Sequence, residues 1–277
     1  MSERGACRLV RLSRTVARYR SRPKGYDNET LVERLQEIAR KKRRRGYRLA
    51  HRQLRKEGWA VNHKRVHRLW KLANLSVPAR KSRKRFRRST ATPRNLVADC
   101  PNAVWCIDFA QDQTIHGMKL RILCVTDEFT RESLALEVSR SFTSEQVCRV
   151  LEGLFVSRGK LGALRMDNGP EFIALALKGL CHRHGISGAY SEPGKPWQNG
   201  FAESFVSRLR DEFLDGEVLL SALDARTRLG IWRRYYNEER LHSRIGYLTP
   251  RQFAASWWQG SSKAVETKEA VGSTQGG

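Results

Sequence analysis

The stretch Ser191-Glu-Pro-Gly-Lys-Pro-Trp-Gln-Asn-Gly-Phe-Ala-Glu-Ser-Phe205 predicts a Pro/Gly-rich loop that leads directly into a helix. The carboxylate of Glu203 falls in the first turn of that helix, at the edge of its apolar side. Apolar residues at helical spacing predict the buried side: Ala202, Phe205, Val206, Leu209 and Phe213. A loop that can admit a substrate, followed at once by an acid on a rigid element, indicates a place for chemistry.

Two further carboxylates occupy positions that favour function over solubility. Asp108 lies within an apolar, strand-like run, Val104–Ala110, although strand interiors are depleted in Asp. Burying such a carboxylate is costly unless it is paired or bound to a metal. Asp167 follows a short predicted strand, Ala163–Met166, at the C-terminal edge where open sheets bind ligands. There are 58 residues between Asp108 and Asp167, and 35 between Asp167 and Glu203.

Three converging carboxylates could not all ionise without cations, because like charges raise each other's pKa. Two Mg²⁺ (or Mn²⁺) ions, roughly 3.5–4 Å apart, would remove this conflict and form a phosphoryl-transfer site. Ligand sets made only of oxygen select these metals over zinc. We therefore predict Asp108, Asp167 and Glu203 as catalytic, metal-binding residues. Two competing acids, Asp127 and Glu128, are expected in a solvated turn.

Each of the three acids has an ordinary alternative when it is taken alone. Asp167-Asn-Gly-Pro170 is also a common turn signal. Glu203 would suit the positive end of a helix dipole. Asp108 could pair with Arg121. The combination of all three, in a chain with a basic N-terminal segment, favours the catalytic interpretation.

The positive charge is concentrated in the N-terminal third of the chain. The net charge is +25; residues 1–100 hold 31 Lys/Arg and 7 Asp/Glu, whereas residues 101–277 hold 22 and 21. A basic segment joined to a nearly neutral body is typical of a nucleic-acid-binding module attached to a second domain. A basic tail on a ribosomal or membrane-surface protein would not explain the neutral, folded remainder.

Three short helices are predicted in this basic segment, over residues 29–42, 48–57 and 63–73. Asn62 is placed to cap the third helix. The outer face of that helix is basic and supplies the predicted DNA contacts Lys64, His67, Arg68 and Lys71. This arrangement predicts a helix-turn-helix module whose third helix enters the major groove of DNA. The alternative is a helical bundle with a solvated basic face.

From about residue 102 the pattern changes to an α/β domain. Three strand-like runs with short connections predict antiparallel pairing, and the helices and strands that follow predict a mixed sheet of five strands. We divide the chain into five segments: a basic N-terminal arm (1–25), a helix-turn-helix-like DNA-binding domain (26–78), a basic linker (79–98), a catalytic core (99–255) and a disordered tail (256–277).

Five motifs extend the pattern beyond the three acids: Trp105–Phe109, Asp127–Arg131, Asp167–Phe172, Pro193–Phe205 and Tyr236–Pro250. Together they resemble the reading-frame-B catalytic protein of the insertion-sequence-three family of bacterial transposases. The core of that family is similar to retroviral integrases. The resemblance therefore implies a ribonuclease-H-like fold, a mixed five-stranded sheet flanked by helices, with a small all-α domain before it.

The resemblance also carries over an activity. It identifies Asp108, Asp167 and Glu203 as a metal-binding triad, and it implies nicking at insertion-sequence ends and strand transfer by the freed 3′-hydroxyl. No covalent enzyme–DNA intermediate is implied. The expected partners are insertion-sequence ends, target DNA, further copies of this chain on DNA, and a reading-frame-A helix-turn-helix protein. Cys106 replaces a Ser that is usual in the family, and Glu192 replaces an Arg.

Further DNA contacts are predicted close to the catalytic acids. Lys195, Gln198 and Asn199 are expected to contact DNA from the loop before Glu203. Arg208 could hold a phosphate or lie on a solvated helix face. His242 could contact DNA or fix the C-terminal turn.

No membrane or export signal is evident in the sequence. No apolar run reaches the roughly 18 residues needed to span a bilayer, and the N-terminus lacks an apolar signal core. The six cysteines are scattered and expected as buried, reduced thiols, so we expect a cytoplasmic protein. The resemblance to bacterial transposases implies a bacterial, nucleoid-associated protein. Two alternatives remain: a catalytically impaired, transposase-derived DNA-binding protein, and a ribonuclease H acting on RNA–DNA hybrids.

Overall fold

The computed structural model describes residues 2–19, 28–42, 44–76, 96–167, 169–190 and 199–260. The chain divides into two units, Met1–Pro78 and Ala79–Gly277. Each unit encloses apolar core residues of its own. Among the described residues, no helix is both long and apolar enough to cross a bilayer.

The described part of the N-terminal unit is helical: α1 (Glu3–Leu9), α2 (Arg14–Ala17), α3 (Asn28–Lys41), α4 (Tyr47–Lys56) and α5 (His63–Leu72). Helices α3 to α5 enclose one core that includes Leu31, Leu54 and Trp70. Asn62 caps α5 as predicted, because its side chain accepts the Lys64 N–H at 2.8 Å. The sequence does not predict α1 and α2, which lie in the segment expected to be a basic arm.

The second unit is built on a five-stranded sheet: β1 (Val104–Gln113), β2 (Lys119–Asp127), β3 (Ser133–Ser139), β4 (Ala163–Met166) and β5 (Ser187–Tyr190). The strand order is β3-β2-β1-β4-β5. Strands β1, β2 and β3 pair antiparallel, whereas β4 is parallel to both β1 and β5. The predicted α/β class with a mixed sheet is confirmed.

Helices cover both faces of this sheet: α6 (Ser144–Arg158), α7 (Pro170–Ile173), α8 (Leu175–Arg183), α9 (Gly200–Glu212), α10 (Ala222–Glu238) and α11 over residues 250–260. The sequence predicts a single helix over residues 171–184. The backbone of Ala174 is extended instead, with ψ at 148°, and separates α7 from α8. Helix α11 continues past residue 255, where the predicted tail begins; residues 261–277 lie outside the described part.

Strand β1 contributes side chains to two cores, one on each face of the sheet. Trp105 and Ile107 pack with residues of α6, α7 and α8. Ala110 packs with residues of α9 and α10 on the other face. Because successive side chains of a strand point to opposite faces, Asp108 faces α9 and α10. It therefore lies on the same side of the sheet as the helix that carries Glu203.

Asp127 and Glu128 are buried, which contradicts their predicted place in a solvated turn. Asp127 Oδ2 accepts the Asn102 N–H at 2.7 Å, and Oδ1 accepts N–H groups of its own turn. Glu128 Oε1 accepts from Arg165 Nε at 2.6 Å. Because Asn102 and Arg165 are distant in sequence, local pattern gives no signal of these contacts. Both acids stabilise the connection between β2 and β3.

The buried pair of Glu128 and Arg165 should contribute far more to stability than an exposed pair. Their side chains are only 1% and 4% exposed, and Glu128→Gln would remove the carboxylate charge that faces the buried Arg165 guanidinium. We expect a loss of about 3 kcal/mol in the free energy of unfolding, measured by urea denaturation.

The control for this prediction is Glu238→Gln, which breaks the exposed pair of Glu238 with Arg251. An exposed pair contributes less than about 1 kcal/mol. Equal losses in the two variants would contradict the assignment of Glu128 as a structural acid.

Candidate active site

Asp108 lies in the middle of β1, in register with Cys124 of β2. Its Oδ1 accepts the backbone N–H of Phe109 at 2.7 Å. Arg121, the ordinary partner considered for it, forms its ion pair with Glu171 instead. Among the described residues, Asp108 has no ion pair, so this half-buried carboxylate lacks a cation beside it.

Asp167 is brought level with Asp108 by the parallel pairing of β4 with β1. Cys106 is in register with Arg165, and the chain reaches Asp167 two residues further on. Asp167 Oδ1 accepts the Gly169 N–H at 3.0 Å. A Cβ atom at Gly169 would lie 3.1 Å from that oxygen, so glycine allows the chain to turn closely around the carboxylate. Asp167 is exposed at this open edge of the sheet.

Glu203 lies in the first turn of α9, a helix anchored in the core by Phe205. Asn199 precedes the helix and is only 3% exposed. Its Nδ2 donates to the carbonyl oxygen of Ile107 at 3.3 Å, which ties the start of α9 to the residue before Asp108. The structure therefore places Asn199 in the wall of the site and not on the surface of the loop, where a DNA contact was predicted.

Electrostatics link the three acids. Burial raises the pKa of Asp108 to about 6; the Phe109 N–H opposes the rise, and the negative charges of Asp167 and Glu203 add to it. Asp167 and Glu203 are therefore near enough to act on Asp108. The binding of a proton or a cation at the Asp108 carboxylate would therefore be favoured.

The donor atoms at this position fit a hard divalent cation. They are carboxylate oxygens, and the amide oxygen of Asn199 is buried with no hydrogen-bond partner among the described residues. In the described parts of the chain, no three His, Cys, Asp or Glu side chains are already gathered closely enough to hold a metal ion. The residues therefore fit Mg²⁺ or Mn²⁺ in the chemistry of their donor atoms.

The pair of Arg121 and Glu171 lies on the face of the sheet opposite to Asp108, and the sequence does not predict it. Arg121 Nη2 donates to Glu171 Oε2 at 3.1 Å. The guanidinium of Arg121 also lies 3.9 Å from the ring centre of Phe109, which stacks on Phe172. These contacts tie the segment after Asp167 to β1 and β2. They join residues about 50 positions apart, so no local pattern reveals them.

The remaining contacts predicted near the site have different outcomes. Lys195 and Gln198 lie outside the described residues, as does Glu192. Arg208 is half-buried on α9. His242 is buried, and its backbone N–H donates to Leu248 O at 3.0 Å, so it fixes the C-terminal turn, one of its two predicted roles.

The basic face of α5 is mostly available to a ligand. Lys64, Arg68 and Lys71 are exposed. His67 is half-buried, and its ring stacks on Tyr47 with 4.2 Å between the ring centres. The three cations therefore form the accessible part of the predicted face.

Comparison with known proteins follows the same division of the chain. The family described as an HTH-like domain matches residues 26–84, and two families described as integrase core domains match residues 98–196 and 184–250. The chain is 40% identical over 257 residues to the 31.7 kDa protein of insertion element IS407 from Burkholderia multivorans, which covers 92% of this chain and 91% of that protein. This chain belongs to the insertion-sequence-three family of bacterial transposases.

Membership of this transposase family confirms the resemblance drawn from the sequence motifs. Transposase InsD of insertion element IS2 from Escherichia coli is 29% identical over 218 residues, covering 76% of this chain and 72% of that protein. Among solved structures, the simian T-cell lymphotropic virus intasome in complex with PP2A regulatory subunit B56 gamma is similar in fold. The match has a TM-score of 0.50 and 16% identity, and covers 70% of this chain and 67% of that chain. This chain therefore has a transposase/integrase-type core.

Replacing Asp108 by Asn should stabilise the protein at neutral pH. The pKa of Asp108 rises from 3.8 to about 6 on folding, so the folded state binds the proton more tightly and stability falls as pH rises through this range. At about 1.4 kcal/mol per pKa unit, the cost reaches at most about 3 kcal/mol above pH 6.

Asp108→Asn should recover this cost near pH 7 and gain almost nothing at about pH 3, where the carboxyl is mostly protonated in both states. Urea denaturation of the two proteins at both pH values measures the difference. A gain that is the same at both pH values would show that the charge of Asp108 is not its cause.

Proposed function

We propose that this family member cleaves DNA at the ends of an insertion sequence and joins the freed ends to target DNA. Asp108, Asp167 and Glu203 would be its metal-binding triad. One observation carries the proposal: acids at the end of β4 and on α9 act on the half-buried carboxylate of β1, which has no ion pair among the described residues. Such a set calls for divalent cations, and Mg²⁺ or Mn²⁺ suits its oxygen donors.

Two bound cations would activate the attacking water or 3′-hydroxyl and stabilise the leaving oxygen. The protein's part is to hold the ligands in place. The Phe109 N–H orients the Asp108 carboxylate, and the Gly169 N–H holds Asp167. Hydrolysis of one phosphodiester leaves a 3′-hydroxyl, and attack of that hydroxyl on a second phosphodiester joins the strands. No protein nucleophile is needed, so no covalent enzyme–DNA intermediate forms.

Two further contacts keep the ligands in register. The ion pair of Arg121 with Glu171 fixes the segment after Asp167. The Asn199 amide fixes the start of α9 and with it Glu203. Ligands on separate elements need such fixed supports, because small displacements weaken metal binding.

DNA would be held by both units. We propose residues 26–78 as the DNA-binding domain, 79–98 as a basic linker and 99–255 as the catalytic core. Lys64, Arg68 and Lys71 of α5 would bind DNA in the first unit, with His67 supporting that face from its stack. In the core, Lys195 and Gln198 would contact DNA near the triad, and Arg208 of α9 would hold a phosphate. Because two ends must be joined, more than one copy of the chain would act together.

The triad is tested by DNA cleavage with Mg²⁺ on duplexes that carry the element ends. Asp108→Asn, Asp167→Asn and Glu203→Gln should each lower the cleavage rate by more than a hundredfold, beyond the roughly 10–100-fold effect of residues that only orient metal ligands. The matched control is Asp112→Asn, the same change on the same strand, which should cleave normally.

Two results would contradict the proposal. Unchanged cleavage by Asp108→Asn would remove that residue from the triad. DNA binding by the wild-type chain without cleavage, in Mg²⁺ and in Mn²⁺, would favour the impaired DNA-binding protein. Cleavage of an RNA–DNA hybrid is measured in parallel, because it tests the ribonuclease H alternative.

The α5 face is tested by the salt dependence of DNA binding. Changing Lys64, Arg68 or Lys71 to Gln should reduce the slope of log K against log salt by about 1 for each phosphate contact removed. Arg40→Gln is the control, because Arg40 is exposed on α3 of the same unit. Equal reductions in the control and the three variants would mean that α5 is not the binding face.

A further inference from the structure

A second charged surface lies on the opposite flank of α9 from the triad. Phe201 and Arg208 are two turns apart and share one side of the helix, whereas Glu203 projects from another side. The turn between β2 and β3 supplies Arg131 to this flank, and the segment after α10 supplies Arg244. We call Arg131, Arg208 and Arg244 the arginine flank.

Arg131 is fixed in this flank by its backbone and by an aromatic ring. Its φ of 67° is uncommon for a residue other than glycine. Its guanidinium carbon lies 4.2 Å from the ring centre of Phe201. The Arg131 Nε is buried and has no hydrogen-bond partner among the described residues. The side chain is therefore held in place, with its Nε enclosed by the protein.

A rigid polar layer lies beneath the arginine flank. Arg240 Nε donates to both carboxylate oxygens of Glu212, at 2.9 and 2.8 Å. Arg240 Nη1 also lies 3.2 Å from His242 Nε2. The His242 ring meets Tyr236 edge-on, with 4.8 Å between the ring centres. The Glu212 carboxylate is thus committed to Arg240.

The arginine flank has a surplus of positive charge. Among the described residues, none of its three arginines forms an ion pair with a carboxylate, and the nearby Glu128 is committed to Arg165. Burial lowers the pKa of Arg131, and the charge of Arg244 lowers it further.

The positive charges of these arginines also act on the buried His242. Burial lowers the pKa of His242 to about 2, and Arg240, Arg208 and Arg131 contribute to the shift. The imidazole therefore stays neutral and adds no charge of its own. A bound anion would relieve the repulsion among the arginines.

We propose that Arg131, Arg208 and Arg244 bind phosphates of the DNA backbone on the side of α9 away from the triad. This inference rests on the proposed function, because that function supplies the DNA. Guanidinium groups pair with phosphate oxygens through two parallel hydrogen bonds, and three of them on separate elements suit a run of phosphates better than one small anion. Such contacts position DNA without reading its sequence.

The test compares the full chain with Arg208→Gln and Arg244→Gln, singly and together. Arg149→Gln is the matched control, since Arg149 is exposed on α6 of the same unit. DNA binding is measured by fluorescence anisotropy in EDTA, so that cleavage plays no part. The slope of log K against log salt should fall by about 1 for each flank substitution and stay unchanged in the control.

Two duplexes distinguish which DNA the flank holds. A loss of slope with both an element-end duplex and an unrelated duplex indicates a general backbone contact. A loss with only one of them assigns the flank to that DNA. An unchanged slope with both duplexes, in variants that melt at the wild-type temperature, overturns the proposal.

A measurement at a residue next to the flank distinguishes direct DNA binding there from indirect effects of the substitutions. The imidazole NMR signals of His242 should shift when the duplex is added to the wild-type chain, and they should not shift in the double variant. If the flank substitutions change DNA binding in EDTA but the wild-type chain does not cleave DNA, the proposed catalysis fails and the flank stands. If Asp108→Asn abolishes cleavage while flank variants bind and shift as the wild type does, the flank fails and the catalysis stands.

Discussion

The catalytic half of this protein depends on one constraint: a carboxylate lies in the middle of a sheet with no cation paired to it in the described structure. Ionising Asp108 is costly, because burial and the negative charges of its two acid neighbours both raise its pKa. The parallel pairing of β4 with β1 brings Asp167 level with it, and the Asn199 amide ties the helix of Glu203 to the same strand. The fold thus holds like charges close together, and a bound cation would relieve their repulsion.

The buried acids of the β2–β3 turn show the opposite solution to the same problem. Asp127 accepts backbone N–H groups, and Glu128 is paired with Arg165. Burial raises the pKa of both acids, and these contacts from within the protein oppose the rise while they hold the turn. Burial alone therefore does not identify a functional acid. The distinction between Asp108 and Glu128 lies in whether the protein itself supplies the counter-charge.

Much of the fold follows from local pattern in the sequence. The apolar stripe of α9, the three antiparallel strands and the capped helix α5 are all encoded by neighbours along the chain, and all are present. The failures concern contacts between distant residues. Glu128 depends on Arg165, and Arg121 depends on Glu171, so spacing could not reveal either pair. The contact between the Asn199 amide and the Ile107 carbonyl of β1 likewise joins residues far apart in the sequence.

The same limit explains why the arginine flank has no sequence signature. Its members come from a strand turn, the middle of a helix and a C-terminal segment, and only the fold gathers them. Helix α9 is the element that divides the two charged regions. One side presents Glu203 to the carboxylates, and another carries Arg208 toward Arg131 and the layer of Arg240. Helix α9 thus carries an acid on one side and an arginine on another. Because Glu203 and Arg208 are fixed to the same helix, a DNA strand held by Arg208 would keep a constant position relative to Glu203.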